Sequence, residues 1–201
     1  MITKFSLRRH LAIATFAGFW SCVAPSTNAR GLPPAGPAAQ ARSNPPIEVA
    51  FSPEAGAEAL VIKVIRSAHS SVRLAAYSFT SPTVVRALVD AKQRGVDVAV
   101  LVDHKSNVQE TRSSASRAAL NLLVNAGIPT RTVSAYAIHH DKFIVADGLH
   151  VETGSFNFTA SAAKRNSENV LVAWNNPALA KQYLAHWQSR WALAIEYRSS
   201  Y

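Results

Sequence analysis

From residue 47 onward the apolar positions switch repeatedly between a period of two and a period near 3.6, the signatures of strand and helix. Residues 47–51 read as a short strand, and Ser52-Pro53 has the chemistry of a helix N-cap followed by a first helical residue. Ala57, Leu60, Val61, Val64 and Ile65 then recur on one helical face. Residues 72–77 predict a second strand. Ser81-Pro82 opens another helix, with Val85, Leu88 and Val89 turned inward and Gly95 closing it. Val96, Val98, Val100 and Val102 hold every second position of a third strand. Residues 110–126 follow as a helix and 128–133 as extended chain.

The pattern continues with a strand-like run over residues 136–146, broken by Asp147-Gly148, a dipeptide that tolerates positive φ at both positions and so favours a hairpin turn. Residues 168–174 form a further strand. Asn176-Pro177 caps a last helix whose Ala180, Tyr183, Leu184, Trp187 and Trp191 share one face, a stripe suited to a core or a subunit interface. No internal repeat is visible. Strand and helix alternating in this way predict one α/β domain over residues 47–201, with a mixed, largely parallel β-sheet flanked by helices.

The N-terminal region breaks the pattern. Lys4, Arg8 and Arg9 precede an apolar stretch over residues 11–24 that is too short to span a bilayer comfortably, and Thr27-Asn28-Ala29 supplies a small-residue cleavage site. Residues 1–29 therefore read as a secretory signal peptide, which implies a periplasmic or secreted product. Cys22 invites a rival reading as a lipoprotein anchor, but bulky Phe19 and Trp20 stand where small or aliphatic residues are expected. Residues 30–46, with five prolines among Ala, Gly and Ser, read as a linker.

Composition narrows the chemistry. A chain of 201 residues that is 48% hydrophobic is neither wholly disordered nor collagen-like. Its net charge of +9 favours an anionic partner without choosing between nucleic acid and an acidic membrane surface. The one cysteine and one methionine both leave with the signal peptide, so the exported product has no disulfide, thiolate nucleophile or Cys-ligated metal.

The candidate chemistry lies between His139 and Glu168. On a strand, His140 and Lys142 project from the same face, while His139 and Asp141 point to the other. A neighbouring ammonium favours the neutral imidazole, the form able to attack phosphorus. Beyond the hairpin, Ser155 and Asn157 again share a face and bring neutral donors for phosphate oxygens. A metal cluster at His139-His140-Asp141 is disfavoured, because adjacent strand residues diverge and no Cys or further carboxylate sits at ligand spacing. His69, His104, His150 and His186 read as ordinary histidines. Arg131, Lys164 and Arg165 supply either a phosphate-tracking rim or a solvated basic surface.

His140-Asp141-Lys142, four residues, Asp147, six residues and Gly154-Ser155-Phe156-Asn157 together match the signature of the phospholipase D superfamily at every defining position. With the flanking Val151-Glu152-Thr153, Asn166-Ser167-Glu168-Asn169 and His186-Trp187, the chain resembles the small bacterial Nuc-type endonucleases. The resemblance implies the phospholipase D/nuclease fold and a metal-independent phosphodiesterase needing no cofactor. The larger phospholipases D carry two such motifs and use both, whereas this chain has one, so the resemblance implies a homodimer with the active site at the subunit interface. In it His140 of one subunit is the nucleophile and His140 of the other the general acid. Lys142 and Asn157 hold the phosphate oxygens, Ser155 assists, Glu168 orients the His140 ring, and Asp147 is structural. Nucleic acid is the implied substrate, with no stable membrane insertion after signal cleavage. A phospholipid-hydrolysing enzyme on the same core is the alternative.

Overall fold

The computed structural model describes residues 46–110 and 114–199. The predicted signal peptide at residues 1–29 and nearly all of the 30–46 linker lie outside them. Strands β1 (Ile47–Ser52), β2 (Ser71–Ala76), β3 (Asp97–Asp103), β4 (Thr130–Val133), β5 (Phe143–Ala146), β6 (His150–Gly154), β7 (Glu168–Ala173) and β8 (Ile195–Glu196) form one sheet in the order β1-β7-β6-β5-β2-β3-β4-β8. Helices α1 (Ala57–Ser67), α2 (Pro82–Gln93) and α3 (Ser114–Asn125) pack on one face, and α5 (Pro177–Trp191) on the other. The short helix α4 (Ala160–Lys164) connects β6 to β7.

The architecture is the mixed α/β domain expected, but its pairing is less parallel than strand–helix alternation implies. Parallel pairing is confined to β2-β3 and β3-β4, where α2 and α3 provide the crossovers. The hairpin β5-β6 inserts antiparallel beside β2, and β6-β7, β7-β1 and β4-β8 are antiparallel as well. Helices on both faces bury β3 completely from Val98 to Asp103, which is why its valine alternation does not become a wet face and a dry one.

Local chemistry explains most element ends. Ser81 Oγ accepts from the N–H of Val84 ahead of Pro82, and Asn176 Oδ1 accepts from that of Leu179 ahead of Pro177. Ser52-Pro53, expected to cap α1, does not. The helix begins instead at Ala57 after Gly56, whose φ of 79° only glycine adopts freely, while Ser52 Oγ donates to the carbonyl of Asn166. Similarly, the helix expected from residue 110 starts at Ser114, because Lys105–Gln109 takes a single wide turn fixed by Asn107. The Asn107 side chain accepts from the N–H of Phe79 and donates to the carbonyls of Tyr77 and Asp103. On the opposite face Trp187 Nε1 donates to the carbonyl of Leu74, anchoring α5, and its ring stacks on Trp191 at 4.6 Å.

One core residue is out of place in an apolar layer. Glu152 is 1% exposed and pairs in register with Ile144 and Val172, whose side chains belong to the α1-facing core, and its Oε2 has no partner among the described residues. Burial pushes its carboxyl up to about 8, so the folded protein keeps a proton that the unfolded chain releases near 4.5. Stability therefore falls as pH rises through that window. Glu152→Gln, which mimics the protonated acid, is expected to melt with wild type at pH 4.5 but about 5 °C or more above it at pH 8. Differential scanning calorimetry checks this, and parallel pH profiles would mean that the carboxyl is ionised in the fold.

Candidate active site

The segment preceding β5 is where sequence and structure part. Residues 136–142, expected to belong to the strand, are irregular, since the β2 ladder reaches β5 only between Phe143 and Ala146 and the β6 ladder stops at Phe143↔Thr153. Side chains replace the missing ladder. The N–H of His139 donates to Asp103 Oδ2 at 2.7 Å, and Lys142 Nζ donates to the carbonyl of His140 at 3.0 Å. The other Asp103 oxygen accepts from the N–H of Ser106 at 2.6 Å, so a buried carboxylate at the end of β3 ties two loops together.

The pairing of faces nevertheless emerges without a strand. The exposed His140 ring lies 4.6 Å from that of Tyr77, and the buried Lys142 ammonium sits 5.3 Å from the same ring. Burial pulls Lys142 below the ordinary lysine range, while the carboxylates of Glu168 and Asp141 act in the opposite sense. His139 turns away into the core at 3% exposure, and its Nδ1 lies 3.4 Å from Asp141 Oδ2. Burial lowers its pKa more than Asp141 and Asp103 raise it, leaving a neutral ring.

The segment after β6 carries the second part of the motif. Phe156 and Phe158 are fully buried, and the carbonyl of Phe158 accepts from the N–H groups of Thr80 and Ser81. These anchors leave Ser155 and Asn157 on the opposite side. Ser155 Oγ donates to Glu168 Oε2 at 2.6 Å and accepts from the N–H of Asn169 at 3.1 Å. Asn157 Oδ1 is buried without a partner among the described residues. The expected Glu168–His140 hydrogen bond is not made: Glu168 is engaged by Ser155 and by Asn166 Nδ2 at 3.0 Å, because it stands at the start of β7 beside the serine.

Asp147 is remote from this chemistry. It lies beyond the far end of β5, about 15 Å from Lys142 by strand rise. With φ of 56° and 64° at Asp147 and Gly148, the predicted turn forms, and the N–H of Leu149 donates to the carbonyl of Ala146. The Asp147 carboxylate accepts from the backbone N–H groups of His69, Ser70 and Ser71 and from Ser70 Oγ. Burial works to raise its pKa, yet these bonds hold it down at about 2. The motif's aspartate thus pins the hairpin to the turn before β2.

His140, Asp141, Lys142 and Phe143 open on a pocket of about 420 Å³ completed by Thr153, Gly154, Gln182, Tyr183 and His186. His186 was not distinguished from the other histidines by sequence, yet its Nε2 lies 2.8 Å from Asp141 Oδ2. Of the basic residues considered for a rim, Arg131 is committed to the fold: its guanidinium lies 4.5 Å from the Trp191 ring and donates to the Trp191 carbonyl. Arg165 donates to Ser161 within α4's own turn. Among the described residues, no group of three His, Cys, Asp or Glu is gathered to hold a metal.

Comparison with known proteins places this geometry. A family model described as cardiolipin synthase, PLD-like domain, matches residues 61–191. Phospholipase D of Rickettsia prowazekii is 38% identical over 149 residues, spanning 74% of this chain and 68% of the relative. A mitochondrial cardiolipin hydrolase of Xenopus tropicalis is 31% identical over 132 residues, 66% of this chain and 59% of that one. Among solved structures, the phospholipase D family member Nuc from Salmonella typhimurium aligns with a TM-score of 0.74 and 50% identity over 77% of this chain and 99% of Nuc. NucT from Helicobacter pylori, at 22% identity and a TM-score of 0.63, shares the fold over 76% of this chain and 99% of its own.

Proposed function

The chain belongs to the phospholipase D superfamily, and from that premise we propose that it is an exported, metal-independent nuclease whose site is completed by a second copy of itself. The observation that carries the reading is the His140–Lys142 pair gathered around Tyr77 at the mouth of the pocket, present once per chain. His140 attacks the phosphodiester in line, forming a phosphorus–nitrogen bond as the bond to the leaving oxygen breaks. The partner's His140 gives that oxygen its proton. Water then attacks the phosphohistidine, losing its proton to the partner's His140 and freeing the first ring. Lys142 and Asn157 balance the charge on the phosphate oxygens, with Ser155 and Glu168 arranged beside them.

The surface next to the site supports the two-copy arrangement. Ile47, Val49 and Phe51 on β1 are 66, 56 and 53% exposed, and they alternate on one face of the sheet. Val49 pairs with Leu171 and Leu171 with Thr153, a residue of the pocket wall, so the apolar face runs directly into the site. Contiguous apolar surface of this kind favours a partner. Export rests on the predicted signal peptide.

The net charge, +9 for the whole chain and +6 once Lys4, Arg8 and Arg9 leave with the predicted signal peptide (9 − 3), and the 50% identity to Nuc favour nucleic acid as substrate, DNA or RNA. The names of the phospholipase D and cardiolipin hydrolase relatives favour the second reading, phospholipid hydrolysis. No helix among the described residues is long and apolar enough to cross a membrane. The discriminating test offers the purified protein plasmid DNA, RNA and a labelled phospholipid, each with excess chelator. Nucleic acid is expected to be cut in chelator and protected by rising salt. Activity lost in chelator and restored by magnesium or zinc overturns the metal-free mechanism. Cleavage of phospholipid alone overturns the nuclease reading.

A further inference from the structure

The pocket wall opposite the motif is supplied by α5, through residues outside the His-Lys-Asp signature. Gln182, His186 and Arg190 succeed one another at intervals of four, so they form one stripe whose steps measure about 6 Å. This stripe is separate from the buried one, which holds Ala180 and Trp187 against the sheet. Gln182 and His186 line the pocket, and Arg190 continues the row beyond it.

Two features set the row apart from an ordinary solvated helix face. First, it is mechanically joined to the motif. Asp141, lying between His140 and Lys142, is bonded to His186 Nε2, and Phe143 packs 6.1 Å from the His186 ring. With Nε2 engaged by Asp141, Nδ1 is the ring nitrogen left for a ligand. Second, no acidic residue shares its helix. Residues Pro177–Trp191 include Lys181 and Arg190 but no Asp or Glu. The Arg190 guanidinium lies 5.0 Å from the ring of Tyr136, which is 41% exposed, and donates through Nη1 to Ser189 Oγ, so the cation is held beside an exposed aromatic ring.

We infer that Gln182, His186 and Arg190 form a subsite for the phosphates that flank the scissile one in a nucleic-acid strand, with Tyr136 available to stack an adjacent base. The inference deepens the nuclease reading and rests on it for the identity of the strand. Donors repeating along a helix beside the reacting groups contact the backbone at successive positions, which sets register and affinity without reading sequence. A single isolated phosphodiester reaches His140 and Lys142 but leaves the row empty.

The test uses two probes and a catalytically silent background. In protein carrying His140→Asn, a fluorescein-labelled single-stranded oligonucleotide is titrated by anisotropy over a range of salt. Adding His186→Gln and Arg190→Ala is expected to raise Kd about tenfold and to reduce the salt slope by about 0.7, the value for the one fixed cation, Arg190, withdrawn from a single strand. Glutamine retains a donor for Asp141, so a role of His186 as a structural tether alone would be rescued. With His140 intact, the same two substitutions are expected to lower kcat/KM for the oligonucleotide, mostly through KM, about tenfold more than for bis(p-nitrophenyl) phosphate, which has no flanking phosphates.

Equal losses on both substrates overturn the inference, as does an unchanged Kd and slope, or no oligonucleotide binding by the silent protein. Weakened binding together with an uncut oligonucleotide and a hydrolysed phospholipid retains the subsite and removes the nuclease reading.

Discussion

Asparagine in place of His140 is expected to lower phosphodiester cleavage by about four orders of magnitude or more, with melting unchanged to within about 2 °C. The side chain is exposed and makes its ring contact with Tyr77, so its loss opens no core cavity, while the other basic groups of the pocket are engaged, Lys142 Nζ by the carbonyl of His140 and His186 Nε2 by Asp141. Glu168→Gln is expected to cost less, because the imidazole remains and Ser155 keeps a partner. Substitution of His139, which faces the core, is expected to act through folding. The His140→Asn chain also tests the shared site. When it is unfolded and refolded with wild type, random pairing yields mixed dimers holding one His140, which is no complete set. Activity is then expected to follow the square of the wild-type fraction. A linear dependence after verified exchange would remove the two-copy mechanism, and near-normal turnover by the His140→Asn protein would remove the nucleophile assignment.

Gly154→Ala is expected to combine a loss of stability of about 1–3 kcal/mol with a fall in activity of about a hundredfold. A Cβ on Gly154 would overlap the carbonyl oxygen of Asn169 and lie 2.9 Å from its carbon, both backbone atoms of the neighbouring strand. β6 and β7 must separate to admit it, at the point where Ser155 N–H donates to that carbonyl and Ser155 Oγ meets Glu168. The methyl group therefore displaces Ser155 and Asn157 relative to His140. Denaturant unfolding and steady-state cleavage measured together check this. A variant that is both stable and fully active would mean the two strands have slack that their register does not show.

The parts of the molecule legible in sequence are those encoded by near neighbours. Ser81-Pro82, Asn176-Pro177 and Asp147-Gly148 announce themselves because each cap or turn is completed within three residues. The motif is legible for the same reason: one hairpin, its entry and its exit hold all of its positions, from His140 to Asn157. What escaped depends on distant partners. His186 acquires its place from Asp141, 45 residues earlier, and Asp103 from the N–H of His139, 36 residues later. The strand assigned to residues 136–146 has the right alternation, but a strand exists only as far as its neighbours run, and those ladders end at Phe143. The sheet is mixed as expected but less parallel than the alternation implies, because the β5-β6 hairpin enters beside β2, a placement that periodicity does not encode. The Glu168–His140 contact was inferred from the resemblance and is replaced by bonds to Ser155 and Asn166.

The strand order also governs when activity can arise during synthesis. β1 emerges early but pairs only with β7, across more than a hundred residues, and the outer half of the sheet cannot close until that strand has been made. Such long loops are slow to form. The reactive groups follow the same schedule: Tyr77 waits for His140 and Lys142, these wait for Ser155 and Glu168, and the pocket wall waits for α5. A growing chain that ends before β7 therefore holds β1 without its neighbour, and one that ends before α5 holds a nucleophile without its enclosure. For a protein proposed to cut nucleic acid, the topology is a form of latency, since the ribosome-bound chain passes beside RNA with its site still unassembled.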